Sequence, residues 1–416
     1  MAGPPIQLML DQHAEDAAIL WIQRDLAVEA PQFNRAFLWR LDERLEAHLD
    51  GLRVAGRAGW ETALAQFEAA PEPGEVFTLT ALAFGAGSAR GIATVLEILA
   101  NKQDAAHLRA AISAMGWLPA DALRGHVQPL LSDTRDVARA LGLGACSVHR
   151  VDPGPQVGHF LSGDGLAAER ALILAGQLGR ADLSEKIAAV SAVDPDSRFY
   201  RAWAMVLLGD RGTEFETLKS IAARPGPHRE AALMAVICHD GSEPIRSWLG
   251  GLGPGAELIC VRAAGYLGDA SLIPWLMERM DDPVLGPVAG ESFSMITGAD
   301  LSFLNLDQSR PEPAFPNDDP TDDRVALSVD DELPMPARDA VSAWWAEQEF
   351  TGRGPHFLGQ PVSETALRDG FEGGYQNQRR VAAYKLAAMA PDAPLANWQA
   401  RQARRVDIKH KAFHAA

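Results

Sequence analysis

The chain has 416 residues, of which 47% are hydrophobic and 22% charged, and its formal net charge is −17. That is enough material for more than one packed core, and no run approaches the roughly 18 apolar residues that a membrane-spanning helix needs. The negative balance repels phosphate backbones, which disfavours direct binding to nucleic acid and favours a basic protein partner.

The first residues carry Asp11, His13, Glu15 and Asp16 in place of the basic and apolar stretches of an export signal. Cys146, Cys238 and Cys260 lie far apart without metal or disulfide spacing and read as reduced, mostly buried thiols. The expected compartment is the cytoplasm, with no membrane association.

Apolar residues recur at helical spacing from the start, as in Ala18, Ile19, Ile22 and Leu26. Helices are predicted near 11–29, 34–50 and 53–69, divided by Pro31, by Gly51 acting as a helix stop, and by the break Pro71-Glu-Pro-Gly74. In the second, Leu38, Leu41, Leu45 and Leu49 form the apolar stripe while Asp42, Glu43, Arg44 and Glu46 face water. This gives an N-terminal helical cap over residues 1–74.

From residue 75 a weak self-similarity is marked by Gly85, Gly116, Gly142, Gly179, Gly209, Gly241 and Gly268, spaced about 30 residues apart. Each interval fits two short helices and two turns. Within the clearest unit, Leu258, Val261, Ala264 and Leu267 form one helix face, Gly268-Asp-Ala the turn, and Ile273, Leu276 and Met277 the next face. Stacked helix pairs make an α-solenoid, an all-α fold with an extended binding surface; residues 75–305 are read as such repeats, the alternative being a compact helical bundle.

The composition changes between Asp307 and Glu332. Pro311, Pro313, Pro316 and Pro320 rule out a regular helix, and nine carboxylates face only Arg310 and Arg324. Residues 306–340 are therefore read as a long acidic loop. Asp318, Asp319, Asp322, Asp323, Asp330, Asp331 and Glu332 are its candidate partner-binding residues, able to steer a basic domain at rates that fall with salt; a solubilising insert has the same composition. The remaining 341–416 is a C-terminal helical segment: a helix bearing Trp344-Trp345, a stretch with Gly352, Gly354 and Gly359, a helix from Arg379 to Met389, and a basic tail from Arg401 to Lys411 that folds back on the acidic loop or frays. One tryptophan of the pair is a candidate partner anchor, against burial of both between helix layers.

No catalytic residues are identified. HExxH, GxSxG and a phosphate-loop lysine are absent from the sequence. Gly85-Ala-Gly87-Ser-Ala-Arg-Gly91 and Gly251-Leu-Gly-Pro-Gly255 read as turns. Cys238-His239 offers too few ligands for a metal and lies on two helix faces, and Cys146 with His149 is placed in a loop between Gly144 and Pro153. No metal or cofactor is expected.

Several segments, His13-Ala-Glu-Asp-Ala-Ala-Ile-Leu-Trp21, Leu41 to Arg53, Ala58-Gly59-Trp60, Gly290 to Leu301, Trp344-Trp345 and Gly374-Tyr-Gln-Asn-Gln-Arg-Arg380, resemble a proteobacterial family of HEAT-like repeat proteins. The resemblance runs from end to end. Members look to be encoded near type VI secretion components and their toxic effectors. The resemblance implies a cytoplasmic immunity protein that occludes a basic, nuclease-like effector toxin, or an adaptor that loads an effector without inhibiting it; it brings no catalytic residues with it.

Overall fold

A computed structural model describes residues 6–102, 104–241, 243–253, 255–310, 329–350 and 354–401. Its residues group into two units: 6–28, 35–210 and 390–401 in the first, 29–34 and 211–389 in the second.

The first unit contains helices α1 (Gln7–Ala27), α2 (Arg35–Val54), α3 (Arg57–Ala69), α4 (Pro73–Gly85), α5 (Ala89–Lys102), α6 (Ala105–Trp117), α7 (Val127–Leu131), α8 (Asp136–His149), α9 (Gln156–Phe160), α10 (Gly165–Gln177), α11 (Ser184–Ala189) and α12 (Pro195–Leu207). Helices α1 to α4 pack on one another. Beyond them α4, α6, α8, α10 and α12 form a row in which each packs on the next, while α5 and the shorter α7, α9 and α11 lie against α4, α8, α10 and α12. Row helix α4 is apolar nearly all round because neighbours cover both sides: every residue from Gly74 to Phe84 is buried. Small residues set the spacing. A Cβ at Gly144 of α8 would meet Ile112 of α6 at 2.4 Å, and one at Gly176 of α10 would meet the Ala204 backbone of α12 at 2.9 Å.

The second unit contains α13 (Thr213–Ala222), α14 (Arg229–His239), α15 (Glu243–Gly250), α16 (Glu257–Leu267), α17 (Ile273–Met277), α18 (Leu285–Thr297), α19 (Arg338–Ala346), α20 (Glu364–Gly373) and α21 (Gln376–Met389), with antiparallel pairs β1 (Asp307–Gln308)–β2 (Met335–Pro336) and β3 (His356–Phe357)–β4 (Gln360–Pro361). Here α14, α16 and α18 form the row, and α21 packs on α14 and α20. Leu358 and Gly359, at φ +50° and +80°, make the two-residue turn of β3–β4. This hairpin closes helix ends: the Leu358 and Gly359 amides donate to Met295 and Ile296 in α18, and the His356 amide to Gly268 at the end of α16.

The chain is therefore mostly helical, as expected, and no helix among the described residues is long and apolar enough to cross a membrane. Several local expectations change. Helix α2 runs through Gly51 to Val54, where the missing side chain makes room for the His13 ring. Gly142 lies inside α8 instead of at a turn, since the Leu130 and Leu131 side chains of α7 stand where its Cβ would point. Cys146 and His149 are helical, with His149 hydrogen-bonded to the Met115 carbonyl at 2.9 Å. The last long helix starts at Gln376, three residues early.

Candidate functional site

A group of charged and polar side chains around the buried Arg262, Tyr266 and Asn377 lies along the row of the second unit. Arg262 sits mid-way along α16 between Val261, Ala263 and Ala264, and is only 6% exposed. An unpaired guanidinium there would cost several kcal/mol. Two acids answer it: Glu230 of α14, with Oε2 3.0 Å from Nε, and Asp330, with Oδ2 2.6 Å from Nη2. One turn on, the Tyr266 hydroxyl donates to Asn377 Oδ1 of α21 at 3.4 Å, and Asn377 Nδ2 donates to Glu291 of α18. Beside these on α21, Arg380 pairs with Glu29 at 3.2 Å.

Burial works against charge on Arg262, but Tyr266, Glu230, Asp330 and Glu291 outweigh it and hold its pKa above the ordinary value. Glu291 shifts the other way from most paired acids: burial, only partly offset by Arg262 and Asn377, pushes its carboxyl pKa up. Four carboxylates thus surround two arginines, and half-exposed Glu230 forms part of the rim. This arrangement places negative charge around the chain's own Arg262 and Arg380. It lacks the nucleophile-and-base pairing of a hydrolase, and among the described residues no group of three or more His, Cys, Asp or Glu side chains is placed to hold a metal ion.

Asp330 connects this cluster to the acidic segment. The two ends of that segment are joined by β1–β2, by the Ala337 amide bonded to the Leu306 carbonyl at 2.7 Å, and by Arg310 Nη2 donating to the carbonyls of Asp330 (3.1 Å) and Leu333 (3.4 Å). Of the expected partner-binding residues, Asp318, Asp319, Asp322 and Asp323 lie outside the described residues. Asp330 is an anchor, Asp331 is exposed, and exposed Glu332 accepts from Gln32 at 3.1 Å. Trp344 and Trp345 are both partly buried, with rings edge-on to Phe293 of α18 at 5.9 and 6.2 Å. They pack on the core cluster of α16 to α18.

The doubtful chemical candidates have structural roles. Cys238 is buried and its thiol is pushed up to about 11 by burial, as is that of Cys146. His239 ends α14 with its ring edge-on to Tyr384 at 6.2 Å and Nδ1 2.9 Å from the Ala235 carbonyl. The Gly85–Gly91 stretch is the α4–α5 turn, where Gly87 has φ +60° and Ser88 Oγ accepts from the Gly91 amide.

Sequence reasoning missed Arg262, Glu230, Tyr266, Glu291, Asn377 and Arg380. The available signal was a charge embedded in the apolar run Ile259-Cys-Val-Arg-Ala-Ala, which favours a paired interior position over a solvated face. No protein-family model, curated protein or solved structure matches the chain.

Proposed function

We propose that the chain is a non-enzymatic protein-binding module built as an α-solenoid of HEAT-like helix pairs, whose acidic segment receives a basic partner. The solenoid reading is supported by the rows α4–α6–α8–α10–α12 and α14–α16–α18, which join alternate helices. The observation that carries the functional reading is the Asp330–Arg262 pair, which ties the end of a nine-carboxylate segment to a buried position in the row. A fixed base favours binding because less freedom is lost when the partner arrives. With the family resemblance, the partner is a nuclease-like effector toxin and the role is cytoplasmic immunity by occlusion.

The test is protection. Cells expressing a candidate toxin survive when the chain is co-produced, and changing Asp318, Asp319, Asp322 and Asp323 together to Asn slows association and flattens its dependence on salt. An unchanged association rate and salt slope removes the segment from the interface. Stoichiometric binding without protection favours the adaptor that loads an effector uninhibited.

A further inference from the structure

Helix α1 is apolar on two faces. Its buried side carries Leu10, Ala14, Ala17, Ala18, Leu20, Trp21 and Ala27. On the other side Leu8, Ile19, Ile22 and Leu26 are 76%, 44%, 40% and 63% exposed. At about 100° per residue, these four and the exposed Glu15 fall within an arc of about 60°, a stripe nearly opposite the buried face. Scattered exposed apolar residues are ordinary, but Ile19, Ile22 and Leu26 follow one another at three- and four-residue spacing, with Glu15 and then Leu8 towards the start of the helix, and such a run marks a contact surface.

The exposed charges on the first half of α1 are carboxylates: Asp11 and Glu15 are exposed and Asp16 partly so, whereas Asp25 further on is paired with Arg109 of α6. Helix α1 has no lysine, and its one arginine, Arg24, is turned inward to Asp42 at 2.9 Å. A second copy's α1 offers these carboxylates no free cation, so self-pairing gains nothing from their charge.

We propose that this face of α1 is a docking site for a basic amphipathic helix of a partner protein, its apolar residues on Leu8, Ile19, Ile22 and Leu26 and its cations beside Asp11, Glu15 and Asp16. The site is built from α1 alone and does not draw on the acidic segment. The mode is helix against helix, with anchors at three- and four-residue spacing.

The experiment uses the full chain and a fluorescent Leu/Lys peptide of about five helical turns, with a scrambled peptide of equal composition and a Leu/Glu counterpart as controls. The ordered basic peptide binds, and the scrambled peptide, as well as the charge-neutral variants Ile22→Gln/Leu26→Gln and Leu8→Gln/Ile19→Gln, weakens binding about tenfold or more. Changing Asp318, Asp319, Asp322 and Asp323 to Asn leaves the effect of the α1 variants in place, which separates this site from the acidic segment. Equal binding by the ordered and scrambled peptides, by wild type and both α1 variants, or no binding at all, overturns the proposal. So does a sedimenting dimer that the α1 variants dissociate, because the occupant is then a second copy.

Discussion

The Asp330 carboxylate meets the Arg262 guanidinium at 2.6 Å across 68 residues of sequence. Between the two lie α17, α18 and the acidic segment, so this contact, together with β1–β2, sets where the segment returns to the helices. Arg262→Ala leaves Glu230, Asp330 and Glu291 together without their cation and destabilises by about 3–5 kcal/mol, read by urea unfolding. Arg262→Met keeps much of the volume and costs less. Asp330→Asn leaves Glu230 on the guanidinium, so its main effect is faster hydrogen exchange at 329–333. Unchanged exchange there means that β1–β2 alone holds the segment's end.

His239 makes stability depend on acid. Burial is the main cause lowering its pKa to about 3, with Arg211 and Lys385 adding to it and a hydrogen bond to Ala235 opposing it. Between the ordinary value of 6.5 and about 3, the unfolded chain binds the proton that the folded chain refuses. The contribution is therefore complete above 6.5 and is lost as the pH falls, by on the order of 1.4 kcal/mol per pH unit. His239→Gln flattens unfolding free energy between pH 7 and 5. A variant with the wild-type slope assigns the loss to other groups.

Helical content and the order of elements were legible because apolar spacing and Gly/Pro punctuation are local properties. The three leading helices appear in the sequence within a few residues of their observed bounds. What stayed hidden depends on neighbours. Ile19, Ile22 and Leu26 signal a helix but not which face it buries: α1 turns Trp21 and the alanines inward and leaves those three outside. Gly142 looks like a turn glycine, yet it sits mid-helix because α7 needs the space. Of the candidate site, Asp330 was visible as one carboxylate among many, and Arg262 was passed over because a pattern of apolar residues does not register the charge between them.

Gly268 carries two demands at once. Its φ of +77° is left-handed, and an added Cβ would stand 2.2 Å from the His356 carbonyl oxygen. Gly268→Ala meets a strain of about 1–2 kcal/mol and must also push β3 away from the end of α16. The expected loss is about 2 kcal/mol or more, with faster exchange of the His356 amide that donates to the Gly268 carbonyl. If only stability falls while that amide keeps its protection, the hairpin follows the helix end without detaching.

In the first unit the same need for donors at helix ends is met by the stretch 390–401. The Leu395 amide donates to Gln177 of α10 at 2.8 Å, Asn397 Nδ2 to Val148 of α8 at 2.9 Å, and Arg401 Nη1 to Trp117 of α6 at 3.4 Å. Three successive row helices thus have terminal carbonyls satisfied by one extended strap, and Arg401 lies over the Trp117 ring while pairing with Glu46 at 3.2 Å. The strap's only aliphatic anchor among these is Leu395, 1% exposed, whose carbonyl accepts from Arg150 Nε at 2.7 Å. Leu395→Ala removes the anchor and costs about 2–5 kcal/mol, whereas Asn397→Ala, which leaves one carbonyl unsatisfied, costs about 1–3 kcal/mol. If the hydrogen bonds hold the strap without the anchor, Leu395→Ala leaves exchange at 395–401 slow; if apolar burial holds it, that exchange rises across the whole stretch while the interior amides of α6 and α8 stay protected.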